Sequence, residues 1–403
     1  MLIVGAGPAG AVAGAMLSRA GARVRLVDRA TFPRDKLCGD TVNPGTLARL
    51  EQAGVAGDLA RRGLRVDGMR VTGESGVAIE GRYPGGRFGR AIPRREFDWL
   101  LLEAAIAAGC QFEPGVVVRR ALVEESGAGR TVRGAVAGVG GGETEIDAAV
   151  TIAADGRHST LAFGLGLARH PRSPRRWAIG GYYENFGPLP TNRGQTGVRL
   201  ESDPGPDPGL TPGVFGEMHV RRGRYIGVAP VPGGLTNVCL VRPSQPGDGD
   251  FRDAAALLQR ELTRDPQLRD RVAGARLIAP PVVLGPLAVD VHGPGIDGLL
   301  LAGDAAGFID PMTGDGLGFA VRGGELAAAA ALRALEHGWT GVHARLAAER
   351  GRAFAGKWRF NRALRALVGA PRAVDAAAAA SRFAPGALRA VIAHAGDCHL
   401  VRA

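Results

Sequence analysis

Lysine, cysteine and aromatic residues are all scarce in this chain, and each scarcity rules something out. There are four cysteines, Cys38, Cys110, Cys239 and Cys398, spread far apart without CxxC spacing or histidine partners. That excludes a disulfide scaffold and a structural zinc site, and it fits a reducing cytoplasm. Aromatics make up 5% of the residues and do not interleave with the arginines. The formal net charge of +11 therefore reads as a scattered, solvated basic surface, and a nucleic-acid partner is not expected. No apolar run approaches the roughly 20 residues that a spanning helix needs. Met1 directly abuts the first apolar run, so the expectation is a cytoplasmic chain without a signal peptide, at most peripheral to a membrane. Lysine is the scarcest of the basic residues: only Lys36 and Lys357 stand among the 50 Lys and Arg. Lys36 sits in the short loop PRDKLCGD, where a solvated position would ordinarily have become arginine.

What is abundant is glycine in particular places. Leu2-Ile3-Val4 is an apolar run suited to a buried parallel strand, and Gly5, Gly7 and Gly10 follow it as GxGxxG. The next segment is rich in small helix formers. A second strand, Arg23 to Val27, ends in Asp28, about 20 residues beyond the glycines. Gly5 permits the tight turn, Gly7 lets backbone approach a pyrophosphate, and Gly10 allows helix and strand to pack closely. The helix N-terminus offers unpaired N–H groups to phosphates, and Asp28 can accept from a ribose diol. An acid at this position argues against a 2′-phosphate. Both FAD and NAD satisfy these features.

Three later stretches separate the two. Ala91 to Cys110 (AIPRREFDWLLLEAAIAAGC) sets an arginine ahead of Phe97-Asp98 and then a helix. Thr151 to Thr160 (TIAADGRHST) is an apolar strand running into Asp155-Gly156. Gly298 to Leu332 carries a strand ending at Gly303-Asp304, then a second glycine-rich turn, Thr313-Gly314-Asp315-Gly316, opening a long helix. Together GAGPAG, ADGRHS and AGDAAGFIDPMTGDG resemble the FAD-dependent hydroxylase superfamily, and PRDKLCGD is most similar to its geranylgeranyl reductase and halogenase branches. The resemblance spans at least residues 1–335, with the motifs in the family's order.

That resemblance implies an α/β fold: a Rossmann-type FAD-binding domain with a parallel sheet, interrupted by an antiparallel substrate-binding sheet, with C-terminal helices. The expected FAD-binding segments are 1–75, 91–168 and 285–335. A short excursion at 76–90 and the stretch 169–284 form the substrate domain, and 336–403 is a helical region. It implies a non-covalent FAD whose pyrophosphate lies on Gly5, Gly7, Ala9 and Gly10, with Asp28 and Arg29 at the adenosine ribose and Val118 by the adenine. Arg94, Asp155 and Asp304 would contact the cofactor, and Gly314, Gly316 and Leu317 would face the N1/O2 edge of the flavin. A helix N-terminus there would stabilise the negative charge of a reduced flavin. Lys36, Cys38 and Gly39 would lie beside the isoalloxazine, with Cys38 read as a soft packing residue in preference to a catalytic thiol.

The middle region reads as short strands broken by Pro and Gly, with a surface loop at 204–213 and a hairpin turn near 138–143. Where the family's reductases carry Tyr-x-Trp-x-Phe-Pro and its halogenases Trp-x-Trp-x-Ile-Pro, this chain has Tyr225-Ile226-Gly227-Val228-Ala229-Pro230. Alternation puts Tyr225, Gly227 and Ala229 on one strand face, as substrate contacts with unusual room. The departure speaks against halogenation. In the tail, Phe354, Trp358, Phe360, Leu364 and Leu367 are set for core packing, with a basic, membrane-touching helix as the other reading.

No second dinucleotide fold and no amino-acid catalyst stand out. Reducing equivalents are expected from transient NAD(P)H or another carrier, with the flavin carrying the chemistry. Three activities remain open: reduction of a C=C bond in a bulky, apolar, isoprenoid-like molecule; NAD(P)H- and oxygen-dependent hydroxylation or epoxidation of an aromatic or polyketide-like one; and electron transfer without turnover.

Overall fold

The computed structural model describes residues 1–400, apart from 60, 128, 140–141, 174, 189–196, 200–213, 244–248, 369, 371 and 384. The loop expected at 204–213 lies outside the described residues.

Leu2–Val4 forms the heart of a six-stranded sheet, between Thr151–Ala153 and Arg25–Asp28, with Leu299–Leu301 and Gln111–Pro114 further out. These neighbours are parallel; only the short edge strand Gly295–Ile296 runs antiparallel. Every residue of the three strands Leu2–Val4, Thr151–Ala153 and Leu299–Leu301 is buried. Unbroken apolar runs are what a sheet covered on both faces requires. On one face pack the helices Pro8–Arg19, Arg94–Ala107 and Gly316–His337, which contribute Val12, Leu101 and Val321 to a common core with Ile3. On the other lies a meander of Val117–Ser126, Gly129–Val139 and Gly142–Asp147, contributing Val118, Val132 and Ala135. Gly129–Val139 and Gly142–Asp147 pair antiparallel with Val139 opposite Gly142, while the expected turn residues 140–141 lie outside the described residues.

The first glycine turn has the predicted geometric reason. Gly5 sits at φ +101, where a side chain would be strained. A Cβ on Gly10 would stand 1.9 Å from the Gly5 carbonyl oxygen, so helix and strand meet there only because Gly10 has none.

A nine-stranded sheet forms the second layer. Its central order runs Ala78–Arg82, Gly68–Thr72, Phe215–Arg221, Arg224–Val231, Leu235–Pro243, Arg176–Glu184. Pairing is antiparallel among these except between Gly68–Thr72 and Phe215–Arg221, which are parallel. The excursion from the first domain thus already includes Gly68, ahead of the expected 76. Helix Ala254–Arg264 covers the far face, packing Leu257, Leu258 and Leu262 on Ile226, Val228 and Leu240. The near face looks toward the first domain.

The tail is helical over Val342–Val368, Ala373–Phe383 and Pro385–Ala395. Phe354 is buried, meeting Phe319 edge-on at 5.2 Å and Trp358 at 5.6 Å, so this stripe packs on the FAD-domain core. Phe360 packs against His394 and Leu364 is partly buried, while the side chain of Leu367 lies outside the described residues. Among the described residues no helix is long and apolar enough to cross a membrane, and no group of side chains could hold a metal.

Candidate active site

A cleft opens where the two layers meet, enclosing about 1570 Å³ of space counted out to its mouth. Four short stretches and one sheet face build most of it. Gly7, Pro8 and Ala9 come from the first helix N-terminus, and Lys36 to Gly39 from the PRDKLCGD loop. Gly303 and Asp304 follow the strand Leu299–Leu301, and Gly314, Gly316 and Leu317 open the long helix. The fifth side is the near face of the substrate sheet. Motifs hundreds of residues apart in sequence are thus brought onto one wall.

Two helix N-termini point into this space. Pro8–Arg19 and Gly316–His337 both begin without a side-chain cap and without an acid in their first turns. Their leading N–H groups are therefore free to bind an anion, and the positive end of each helix favours one. Gly314, in the left-handed region at φ +70, makes the turn that aims the second helix. An anionic diphosphate suits the first terminus, and the N1/O2 edge of a flavin, where reduction places negative charge, suits the second, so the residues present are compatible with FAD.

The cations beside the cleft are less free than they look in sequence. Arg94 is buried, and its guanidinium is held by both oxygens of Asp98 at 2.6 and 2.7 Å, with Arg34 adding a contact to Asp98 at 3.1 Å. Lys36 lines the cleft, and among the described residues it has no ion pair of its own; burial pushes its pKa down and Arg94 adds to this, while Asp304 opposes. Burial pushes the Cys38 thiol up, with Arg94 pulling the other way. A thiol so held is a packing residue more than a nucleophile.

The sheet wall is open because its side chains are small. Gly227 stands between Met218 and Cys239 across the pairing, and Cys239 faces Gly180 on the next strand. Ala229 stands beside Asn237, and all of these except Gly180 line the cleft. A Cβ on Gly227 would meet nothing nearer than 3.9 Å. Gly180 is different: a Cβ there would lie 2.7 Å from Leu37 Cδ1, so the cofactor loop fills that dent. Tyr225 shares the face, but the structure places it behind the wall. It is 2% exposed, and its hydroxyl donates to Asp310 Oδ1 at 2.5 Å. One step down the strand, the ring passes under the Asp310 loop and finds a buried carboxylate in place of a substrate.

Several expected cofactor residues lie off the cleft wall. Gly5 and Gly10 shape the turn from behind. Asp28 accepts from the N–H groups of Ala6 at 2.8 Å and Ala30 at 2.9 Å, tying the glycine loop to the end of its strand. Exposed Arg29 follows it, and Val116 donates its N–H to the Asp28 carbonyl, which brings buried Val118 to the same end. Asp155 accepts from Thr160 N–H at 2.8 Å, and its other oxygen is buried. Other residues of the site carried no legible signal. Asp40 accepts from Tyr182 and Asn237, and Asp310 from Tyr225 and Arg176, so two loops of the first domain are each latched to the substrate sheet. Arg157 and Met218 also join the wall.

A parallel nucleotide-binding sheet, a glycine-loop helix and a second uncapped helix around one cleft define a flavoprotein oxidoreductase. Residues 1–180 match the family described as the FAD binding domain. The menaquinone reductase of Mycolicibacterium smegmatis is 32% identical over 344 residues, covering 81% of this chain and 75% of that protein. Digeranylgeranylglycerophospholipid reductase 2 of Methanopyrus kandleri is 30% identical over 338 residues, covering 83% and 77%. Among solved structures, flavin-dependent brominase Bmp2 superposes with a TM-score of 0.79 at 18% identity, covering 98% of this chain and 93% of that one. A geranylgeranyl bacteriochlorophyll reductase-like protein from Thermoplasma acidophilum gives 0.73 at 22% identity, covering 92% and 87%. The chain belongs to the FAD-dependent oxidoreductase superfamily that includes the geranylgeranyl reductases and flavin-dependent halogenases.

Proposed function

We propose that this enzyme uses FAD to reduce a carbon–carbon double bond in a bulky, largely apolar, isoprenoid-like molecule. The observation that carries the reading is the sheet wall: Gly227 and Ala229 leave open space facing the flavin-side loops, and apolar Met218 and Leu284 border it. Names among its relatives support the same direction: a menaquinone reductase at 32% identity and a digeranylgeranylglycerophospholipid reductase at 30%, beside a probable electron transfer flavoprotein-quinone oxidoreductase at 30%. When bound, FAD supplies the two-electron chemistry. The chain's own residues do the rest. The helix termini hold negative charge, Lys36 places an amino group beside it, and the small-residue wall admits an apolar chain while excluding water. The electron donor in this reading is transient NAD(P)H or a protein carrier, docking without a fold of its own in this chain. A lipid-soluble substrate would be met at a membrane surface, for which exposed arginines such as Arg359 and Arg362 in the tail offer a basic face.

The test is to load the protein with FAD, reduce it without oxygen, and add a prenylated quinone still without oxygen. Reoxidation of the flavin at a rate that depends on the quinone supports the reductase. A flavin that stays reduced until air is admitted, and then turns over the substrate, assigns an oxygen-dependent monooxygenase instead.

A further inference from the structure

Among the described residues, the acids whose whole side chains are buried follow a rule with one exception. Asp98, Glu217, Asp265, Asp310, Asp315 and the other buried acids each hold an arginine or lysine nitrogen within 3.3 Å. Asp40 holds none among the described residues, although it is 0% exposed. Its three donors are neutral. Tyr182 Oη and Asn237 Nδ2 reach Oδ2 at 2.6 and 2.5 Å, and the backbone N–H of Arg94 reaches Oδ1 at 3.3 Å. The nearby guanidinium of Arg94 is committed to Asp98. Asp40 is nonetheless held in place at a cost, in the left-handed region at φ +52. It stands between Gly39 and Thr41, both of which line the cleft.

A charge is expensive to bury without a partner, so such a carboxylate gains most from any event that delivers a proton to it. Flavin reduction is that event. It rests on FAD occupying the cleft: two electrons arrive, the flavin itself binds one proton, and a net negative charge appears beside this loop. We propose that Asp40 binds a second proton when the bound flavin is reduced and releases it when the flavin is reoxidised. The balance is two electrons and two protons gained together, and both lost together to the substrate side. No other reactant is required.

The groups facing Asp40 agree with this assignment. From its own loop come Cys38 and, further along, Lys36; from the helix Arg94–Ala107 comes Arg94, countered by Asp98. The sheet contributes Tyr182, neutral Asn237 and Cys239. Burial pushes Asp40 up to about 6, with Tyr182 and Asn237 opposing. Burial also pushes Cys239 to about 12, so that thiol stays protonated in either state. Lys36 is the competing acceptor, since burial lowers its pKa.

The midpoint potential of the FAD-loaded, full-length protein, followed against pH between about 6.5 and 8.5, decides the matter. For a two-electron couple each coupled proton contributes about 30 mV per pH unit. The wild type is expected to slope near 59 mV per unit and Asp40→Asn near 30. Asparagine tolerates the left-handed backbone, and its one oxygen can take the place of Oδ2. Should Asp40→Asn lose its flavin, the wild-type slope and its infrared difference spectrum suffice, because a protonated-carboxyl C=O band must appear on reduction. A wild-type slope near 30 mV, or no carboxyl band, overturns the proposal. A steep slope that survives Asp40→Asn but is lost in Lys36→Met assigns the proton to Lys36 and overturns it equally. A protein that holds no FAD at all removes the cofactor assignment itself, which is a different failure.

Discussion

Gly227→Trp probes whether the small residues of the sheet wall exist to leave room. The substitution restores the bulk that the reductases and halogenases of the family carry on this strand. A Cβ at 227 would meet only the Cys239 and Glu217 carbonyl oxygens, at 3.9 and 4.0 Å, which is ordinary contact. The indole then extends toward the cleft that Gly227 lines. Replacing glycine in a strand also recovers roughly 0.5–1 kcal/mol of backbone entropy. The net change in stability should stay within about 1 kcal/mol of zero, against about 1–3 kcal/mol lost when a filled core is overpacked. Gly180→Ala is the internal control, two strands away on the same face. Its Cβ would lie 2.6 Å from the Val238 carbonyl oxygen and 2.7 Å from Leu37 Cδ1, so it should pay the overpacking cost and loosen the cofactor loop. Urea unfolding gives the stabilities, and flavin absorbance co-eluting with the protein reports FAD retention. Gly227→Trp should stay folded and yellow while losing turnover of bulky substrates, with slimmer chains retained. If it unfolds or sheds FAD while Gly180→Ala is benign, the wall is a packing surface and the inference of a roomy substrate pocket fails.

Other outcomes follow from single contacts. Asp28→Ala and Asp304→Ala should each weaken FAD binding about 10- to 150-fold, from loss of charged hydrogen bonds worth about 1.5–3 kcal/mol, as read from equilibrium release of flavin fluorescence; unchanged affinity in both would displace the cofactor from this cleft. Lys357 is buried against Asp315 at 2.8 Å and Asp397 at 3.3 Å, so Lys357→Ala leaves two carboxylates unpaired and should cost about 3–5 kcal/mol in urea unfolding. Asp40 is held at about 6 against 3.8 for the ordinary group, so the folded state keeps a proton that the unfolded chain has already released. Its contribution is therefore most favourable below about 4 and declines by about 3 kcal/mol as pH rises through 6. Stability measured across that window should lose this slope in Asp40→Asn, and a slope unchanged by the substitution would contradict the assignment.

Much of this fold was legible because its information is local. The GAGPAG turn encodes backbone geometry in consecutive residues: Gly5 at positive φ and Gly10 against the Gly5 carbonyl need no distant partner to be recognised. Strand alternation likewise placed Gly227 and Ala229 on the cleft side. What stayed hidden depends on contacts between distant segments. Asp40 meets Tyr182 and Asn237 across 142 and 197 positions, so nothing in PRDKLCGD announced a buried acid without a cation. Tyr225 was expected on the wall because alternation fixes its side of the strand; its depth is set by Asp310, 85 positions away. Lys357 was conspicuous as one of two lysines, yet its role became visible only once the tail helix brought it to Asp315 at the mouth of the long helix. The early start of the excursion at Gly68 was missed for the same reason, since that strand is defined by its pairing with Phe215–Arg221.

The measurement that bears most directly on the proposed reaction is the mass of the product. FAD-loaded protein, reduced and kept free of oxygen, is incubated with a prenylated quinone, and the recovered lipid is weighed by mass spectrometry. The expected product is heavier by two hydrogens on its prenyl chain, formed without oxygen and absent when the flavin is left oxidised. A lipid unchanged until air is admitted, and then carrying an added oxygen atom, would contradict it.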